Sequence, residues 1–247
     1  MARAHLRHLG VALASLALAW RGFLPSLVLW GPALDRLEAL QGFDVVMFLR
    51  HGPRQPMPDA RDAPDEEYWR LARHLALTPE GRRQAEELGD QLRKRGLLPT
   101  RLLSSEVPRC VETLRTVATR AGVRSDSIVT VPALMNATHR PGQEAEAAEE
   151  MRALGWPAVL ERLASGQQVP GYLSLAAAAR QLRNACLPQK AAHSPRPALV
   201  LACTHDVILY ALAAHFMRGE EQPRKPEFLE PGLWWQQGGL DHFYWLL

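Results

Sequence analysis

The chain has 247 residues, 47% of them hydrophobic and 22% charged, with 29 Lys and Arg against 26 Asp and Glu for a net charge of +3. That length holds one large domain, or a domain with a small cap, and the balance is that of a globular protein with a sizeable core. The small, mixed charge argues against a dedicated nucleic-acid binder, and Cys110, Cys186 and Cys203 lack the paired spacing of a zinc site or disulfide framework.

Residues 1–40 stand apart. Arg3 and Arg7 precede an apolar run over 11–20 that ends in Ala17-Leu18-Ala19, which together have the three parts of a secretory signal. Arg21 interrupts, and a second apolar run follows over 23–30. Together the runs approach bilayer length, although an Arg at the centre costs roughly 2.5–3.5 kcal/mol on insertion. A core-packed or amphipathic helix is the other reading. The expectation is an exported, periplasmic or membrane-associated protein rather than a cytoplasmic one, with 41–247 as the folded domain.

Residues 45–50, VVMFLR, are apolar and begin β-branched, the pattern of a buried parallel strand. Gly52, Pro53 and Pro56 end it abruptly, so Arg50, His51 and Arg54 sit at the carboxyl end of a strand, where open α/β sheets bind ligands. Two guanidiniums and an imidazole there suit an oxyanion, most naturally a phosphate, and Gly52 lets the backbone approach it. Residues 55–76 are rich in Pro, Asp and Glu and form a surface excursion beside this pocket, with a short helix around 66–75. A helix then starts at Thr78, with Pro79 in its first turn and Glu80 at its positive end, and stops at Gly96.

The same layout recurs twice. Residues 101–105 form a short strand leading into a helix capped by Ser105 or Glu106, with Arg109 near its first amides. Residues 127–131 are a third strand. A loop and an acidic helical start follow over 134–150, then helices over 151–165 and 173–187. Residues 198–203, ALVLAC, are the most evident buried strand and end in Thr204-His205-Asp206 before an apolar helix over 207–217. Asp206 is a favoured helix cap, which leaves His205 unexplained. In the tail, Gly238-Gly239 marks a turn between two aromatic strands. Repeated strand, polar end and helix predict a doubly wound α/β fold, its mostly parallel sheet covered on both faces and its site at the strand ends.

Four strings carry a family resemblance. RHGPRQP over 50–56 resembles the RHGxRxP signature of the histidine acid phosphatases, within the wider histidine phosphatase superfamily. SSEVPRCVET over 104–113 resembles that superfamily's second motif. THD over 204–206 resembles the His-Asp motif that closes the acid phosphatase site, and LTPEGRRQAEELGDQL over 77–92 resembles the helix after the first motif. The resemblance spans roughly 44–247 and implies a phosphoglycerate mutase-like fold with a small α-helical cap, shorter than that of large acid phosphatases.

It also implies roles. His51 is the nucleophile and Asp206 the proton donor, while Arg50, Arg54, Arg109 and His205 bind phosphate. The mutase-like branch draws its acid from a Glu downstream of the second motif, which makes Glu144 or Glu146 the backup, with His139 a further loop candidate. No cofactor is expected. A metal held by His51, His205 and Asp206 is the rival assignment, disfavoured because three arginines would repel the cation. The expected function is phosphomonoester hydrolysis of a phosphorylated small molecule through a phosphohistidine. A phosphomutase or diphosphate hydrolase using the same pocket, and a non-catalytic phosphate-binding module, are the alternatives.

Overall fold

The computed structural model describes residues 27–56, 71, 73–187, 197–216 and 224–245. Through them the chain runs α1 (Leu27–Ala39), β1 (Val45–Arg50), α2 (Pro79–Lys94), β2 (Arg101–Ser104), α3 (Pro108–Ala121), β3 (Ile128–Thr130), α4 (Ala133–Asn136), α5 (Glu144–Leu154), α6 (Trp156–Ala164), α7 (Leu175–Cys186), β4 (Leu199–Thr204), α8 (Asp206–Phe216), β5 (Pro231–Gln237) and β6 (Leu240–Trp245).

The strands form one sheet in the order β3-β2-β4-β1-β5-β6. The first four are parallel, while β5 runs antiparallel to β1 and pairs with β6 in a hairpin. Alternation along each strand builds two cores. Val45, Met47 and Leu49 of β1, with Leu201 and Cys203 of β4, face α1, α2 and α3. Val46 and Phe48, with Val200 and Ala202, face α4, α7 and α8. Each fully buried Leu, Phe or Met contributes about 1.5–3 kcal/mol, and a slip of one residue would exchange the two faces. A smaller cluster joins α5 and α6 to α8 through Ala147, Val159, Leu163, Tyr172 and Ala211.

The predicted strands and the tail hairpin are present, with boundaries shifted by a residue or two. The helix expected over 151–165 is two helices, because Gly155 at φ 76° breaks it between α5 and α6. Helix α3 is capped by Val107 without a side-chain hydrogen bond, so neither Ser105 nor Glu106 caps it as expected. Residues 1–26 and most of the 55–76 excursion lie outside the described residues. Within the N-terminal segment, Trp30, Leu34, Leu37 and Leu40 of α1 and its exit are core residues. No helix among the described residues is long and apolar enough to cross a membrane.

Strand order positions the site. Connections leave β1 and β4 in opposite directions across the sheet: β1 passes β4 to reach β2, and β4 passes β1 to reach β5. The crevice between β1 and β4 is therefore the switch point where such sheets bind ligands. Register sets Arg50 beside Thr204, and Cys203 beside Ser104.

Candidate active site

At the end of β1, Arg50 is 7% exposed, and a guanidinium that deep must be partnered. Its Nη1 donates to the Pro226 carbonyl at 2.6 Å, its Nη2 lies 3.3 Å from Asp206 Oδ2, and its Cζ stands 3.9 Å over the Phe228 ring. The buried Nε has no hydrogen-bond partner among the described residues.

His51 follows, with its amide donating to the Thr204 carbonyl at 3.0 Å. Its Nδ1 lies 2.8 Å from the Gly52 carbonyl oxygen. A carbonyl only accepts, so Nδ1 carries the ring proton and Nε2 carries the lone pair. Burial, then the neighbouring His205 and Arg109, hold the His51 pKa well below that of an ordinary histidine.

The loop after His51 is locked by glycines. The Gly52 amide donates to Thr113 Oγ1 at 3.0 Å, and that hydroxyl donates to the Arg109 carbonyl at 2.7 Å. A side chain on Gly81 would put its Cβ 2.2 Å from the Pro53 carbonyl oxygen. Thr78 secures the same contact from α2: its amide donates to Pro53, and its hydroxyl accepts from the Gly81 amide at 3.0 Å.

From β2 and α3 come Ser105 and Arg109, and from β4 comes His205. Arg109 Nη2 lies 3.3 Å from His205 Nδ1. A guanidinium only donates, so this nitrogen accepts, and the His205 proton sits on Nε2, 3.0 Å from Ser105 Oγ. The His51 and His205 rings are 5.4 Å apart, edge to face.

Asp206 opens α8. Its Oδ1 accepts from the Val207 amide at 3.0 Å, and its Oδ2 faces both Arg50 at 3.3 Å and Lys225 Nζ at 3.4 Å. Burial alone would push its carboxyl up, but Arg50, Lys225 and the Val207 amide outweigh it and hold the pKa below its ordinary value. Asp206 is the first helical residue rather than the cap expected at this position, since the Leu209 amide donates to the His205 carbonyl at 3.3 Å, and its carboxylate serves an ion-pair role instead.

Five of the six expected residues, Arg50, His51, Arg109, His205 and Asp206, therefore meet in one cluster. Arg54 stands at its mouth, its charge acting on both Arg50 and Arg109. With Arg50, Gln55, Lys225 and Phe228 it lines a cavity of about 440 Å³. The backup residues lie elsewhere. Glu144 accepts from the Gly142 amide on the surface, and His139 packs edge-on against Tyr172 at 5.2 Å. Glu146 is exposed on the same surface helix.

Sequence reasoning missed Ser105, Thr113, Lys225, Phe228 and Glu230. The first two lie inside the SSEVPRCVET string, where the Ser and Thr were visible without a partner. The other three come from the segment before β5, which has no readable motif.

The family model described as histidine phosphatase superfamily (branch 1) matches residues 46–229. No curated protein matches the sequence significantly. Among solved structures the fold is similar to that of Mycobacterial hydrolase 1, at TM-score 0.51 and 18% identity over 83% of this chain and 97% of that one. It is also similar to the phosphoglycerate mutase of Bacillus anthracis str. Sterne, at TM-score 0.51 and 14% identity over 83% and 94%. Mycobacterial hydrolase 2 is similar at TM-score 0.50 and 18% identity over 83% and 89%. At such identities the likeness is one of fold.

Proposed function

The chain belongs to the histidine phosphatase superfamily, and from that premise we propose that it is a phosphomonoester hydrolase of acid phosphatase type working through a phosphohistidine at His51. The observation that carries the reading is the tie of His51 Nδ1 to the Gly52 carbonyl, which leaves Nε2 unprotonated inside a cluster of cations. A neutral imidazole aimed this way is a nucleophile.

In the first step the Nε2 lone pair forms a bond to phosphorus while the bond to the ester oxygen breaks in line. Arg50, Arg54 and Arg109 hold the three equatorial oxygens, where charge spreads in the transition state, and His205 joins them by donating from Nδ1 when its ring carries a second proton. Asp206 in its acid form gives its proton to the departing alkoxide. In the second step the Asp206 carboxylate takes a proton from water, the water oxygen attacks phosphorus, and the nitrogen–phosphorus bond breaks to release phosphate. Positive charge comes from the chain's own side chains throughout.

Asp206 pairs with Arg50 and Lys225 and so favours its ionised form. A phosphate engaging Arg50 weakens that pull and adds negative charge nearby, both of which return a proton to Asp206. The test is hydrolysis of p-nitrophenyl phosphate by the purified chain, before and after prolonged EDTA treatment, beside His51→Ala. Turnover that survives EDTA and vanishes in H51A supports the reading. Full turnover in H51A, or a metal requirement, contradicts it.

A further inference from the structure

The segment 224–230 touches three of the six site residues, and a single buried carboxylate anchors it. Glu230 is 1% exposed and its two oxygens accept four hydrogen bonds. Arg224 donates to both, at 2.9 and 2.5 Å. The Glu227 amide donates to Oε2 at 2.5 Å, and Trp245 Nε1 donates to Oε1 at 2.7 Å. The backbone is tied on either side: the Leu229 amide donates to the Arg50 carbonyl at 3.1 Å, and Trp30 Nε1 donates to the Leu229 carbonyl at 3.1 Å. Leu229 itself sits at φ 56°, an uncommon conformation for a leucine, and is held there by these bonds.

What this strap delivers is specific. Pro226 offers its carbonyl to Arg50 Nη1, Phe228 lies against Arg50 and 5.6 Å from the His51 ring, and Lys225 pairs with Asp206. We infer that Glu230 is a positioning residue for phosphoryl transfer: through the strap it aims Arg50 at the phosphate oxygens and keeps Lys225 on Asp206. A carboxylate is suited to this, because four donors converge on it and a neutral amide of the same shape can accept at only one of its two ends. The inference rests on the roles proposed above for Arg50 and Asp206.

Asp206 is faced by Arg50 from β1, Lys225 from the strap and Arg109 from α3, while Glu227 and Glu230 act on Arg50. Loosening the strap removes Lys225 from that set, so Asp206 keeps its proton to higher pH and the limb of kcat/KM that reports its acid form moves up.

The test is Glu230→Gln in the full chain, with Arg224→Ala as the milder variant, since the Arg224 side chain is 40% exposed. Orthovanadate binding by calorimetry and the pH profile of kcat/KM are read beside the thermal midpoint. E230Q should weaken orthovanadate by roughly 10- to 100-fold, the scale of loss when a supporting residue lets a site group drift by about an ångström. The limb should rise in E230Q and should not rise further when E230Q is combined with Lys225→Met. R224A should move both readouts in the same direction by less, and it decides the matter if E230Q does not fold. A lowered midpoint with unmoved vanadate affinity and pH limb would make Glu230 a stability residue and overturn the inference. A wild type that binds no vanadate would instead overturn the phosphatase reading itself.

Discussion

Asp206 must hold a proton to act as an acid, yet it lies 3.3 Å from Arg50 and 3.4 Å from Lys225. Its contribution should therefore be read through the leaving group. An alkoxide needs a proton as the bond breaks, whereas nitrophenolate needs little. Asp206→Asn should slow an alkyl phosphate by roughly 10²–10⁴-fold, the usual worth of general acid catalysis, and p-nitrophenyl phosphate far less. Because both cations depress the Asp206 pKa, wild-type kcat/KM for the alkyl ester should rise as pH falls from 7 toward 5. Equal slowing of both esters would remove Asp206 as the acid and leave it to position Arg50 and Lys225. At this scale the sequence was most legible where residues share a short string. Arg50, His51 and Arg54 stand together, as do His205 and Asp206, and each string follows an apolar strand that places it. Lys225, Phe228 and Glu230 carry no such mark, since they reach the site only because the chain returns past β1 on its way to β5.

Elements carry the geometry those residues need. Helix α2 reads plainly from its Thr-Pro-Glu start, but its tight approach to the loop after His51 does not, because a glycine in a helix signals nothing without its neighbour. Gly81→Ala would drive a Cβ into the Pro53 carbonyl oxygen and push the His51 loop aside. We expect a loss of about 1–3 kcal/mol in urea unfolding, the usual cost of overpacking, together with weaker inhibition by inorganic phosphate. An unchanged unfolding midpoint and phosphate affinity would mean that α2 does not brace the loop. The break at Gly155 was legible but passed over: a glycine closes α5 at positive φ, and Pro157 stands in the first turn of α6.

At the scale of the molecule, the crevice arises from strand order, which no local string records. The parallel sheet follows from the repeated strand and helix, but the insertion of β4 between β1 and β2 is a tertiary fact. Stability should carry the site's signature as well. His51 titrates well below 6.5 in the folded chain, and Asp206 below 3.8, so the unfolded chain binds more protons on acidification. Burial pushes Tyr172 and Cys186 up to about 12, so the unfolded chain gives up protons first at high pH. Urea midpoints should therefore be highest near pH 7–8.5, fall as pH drops below about 6.5, and fall again above about 9. A midpoint that rises between pH 7 and 5 would contradict the buried neutral His51.

The most direct measurement is to quench a millisecond reaction with labelled phosphomonoester in base and map the label. A covalent phosphoryl group on His51, stable to base, lost in acid and absent from His51→Ala, is the expected result. Rapid turnover by the wild type with no labelled protein at any quench time, or label on another residue, would contradict it.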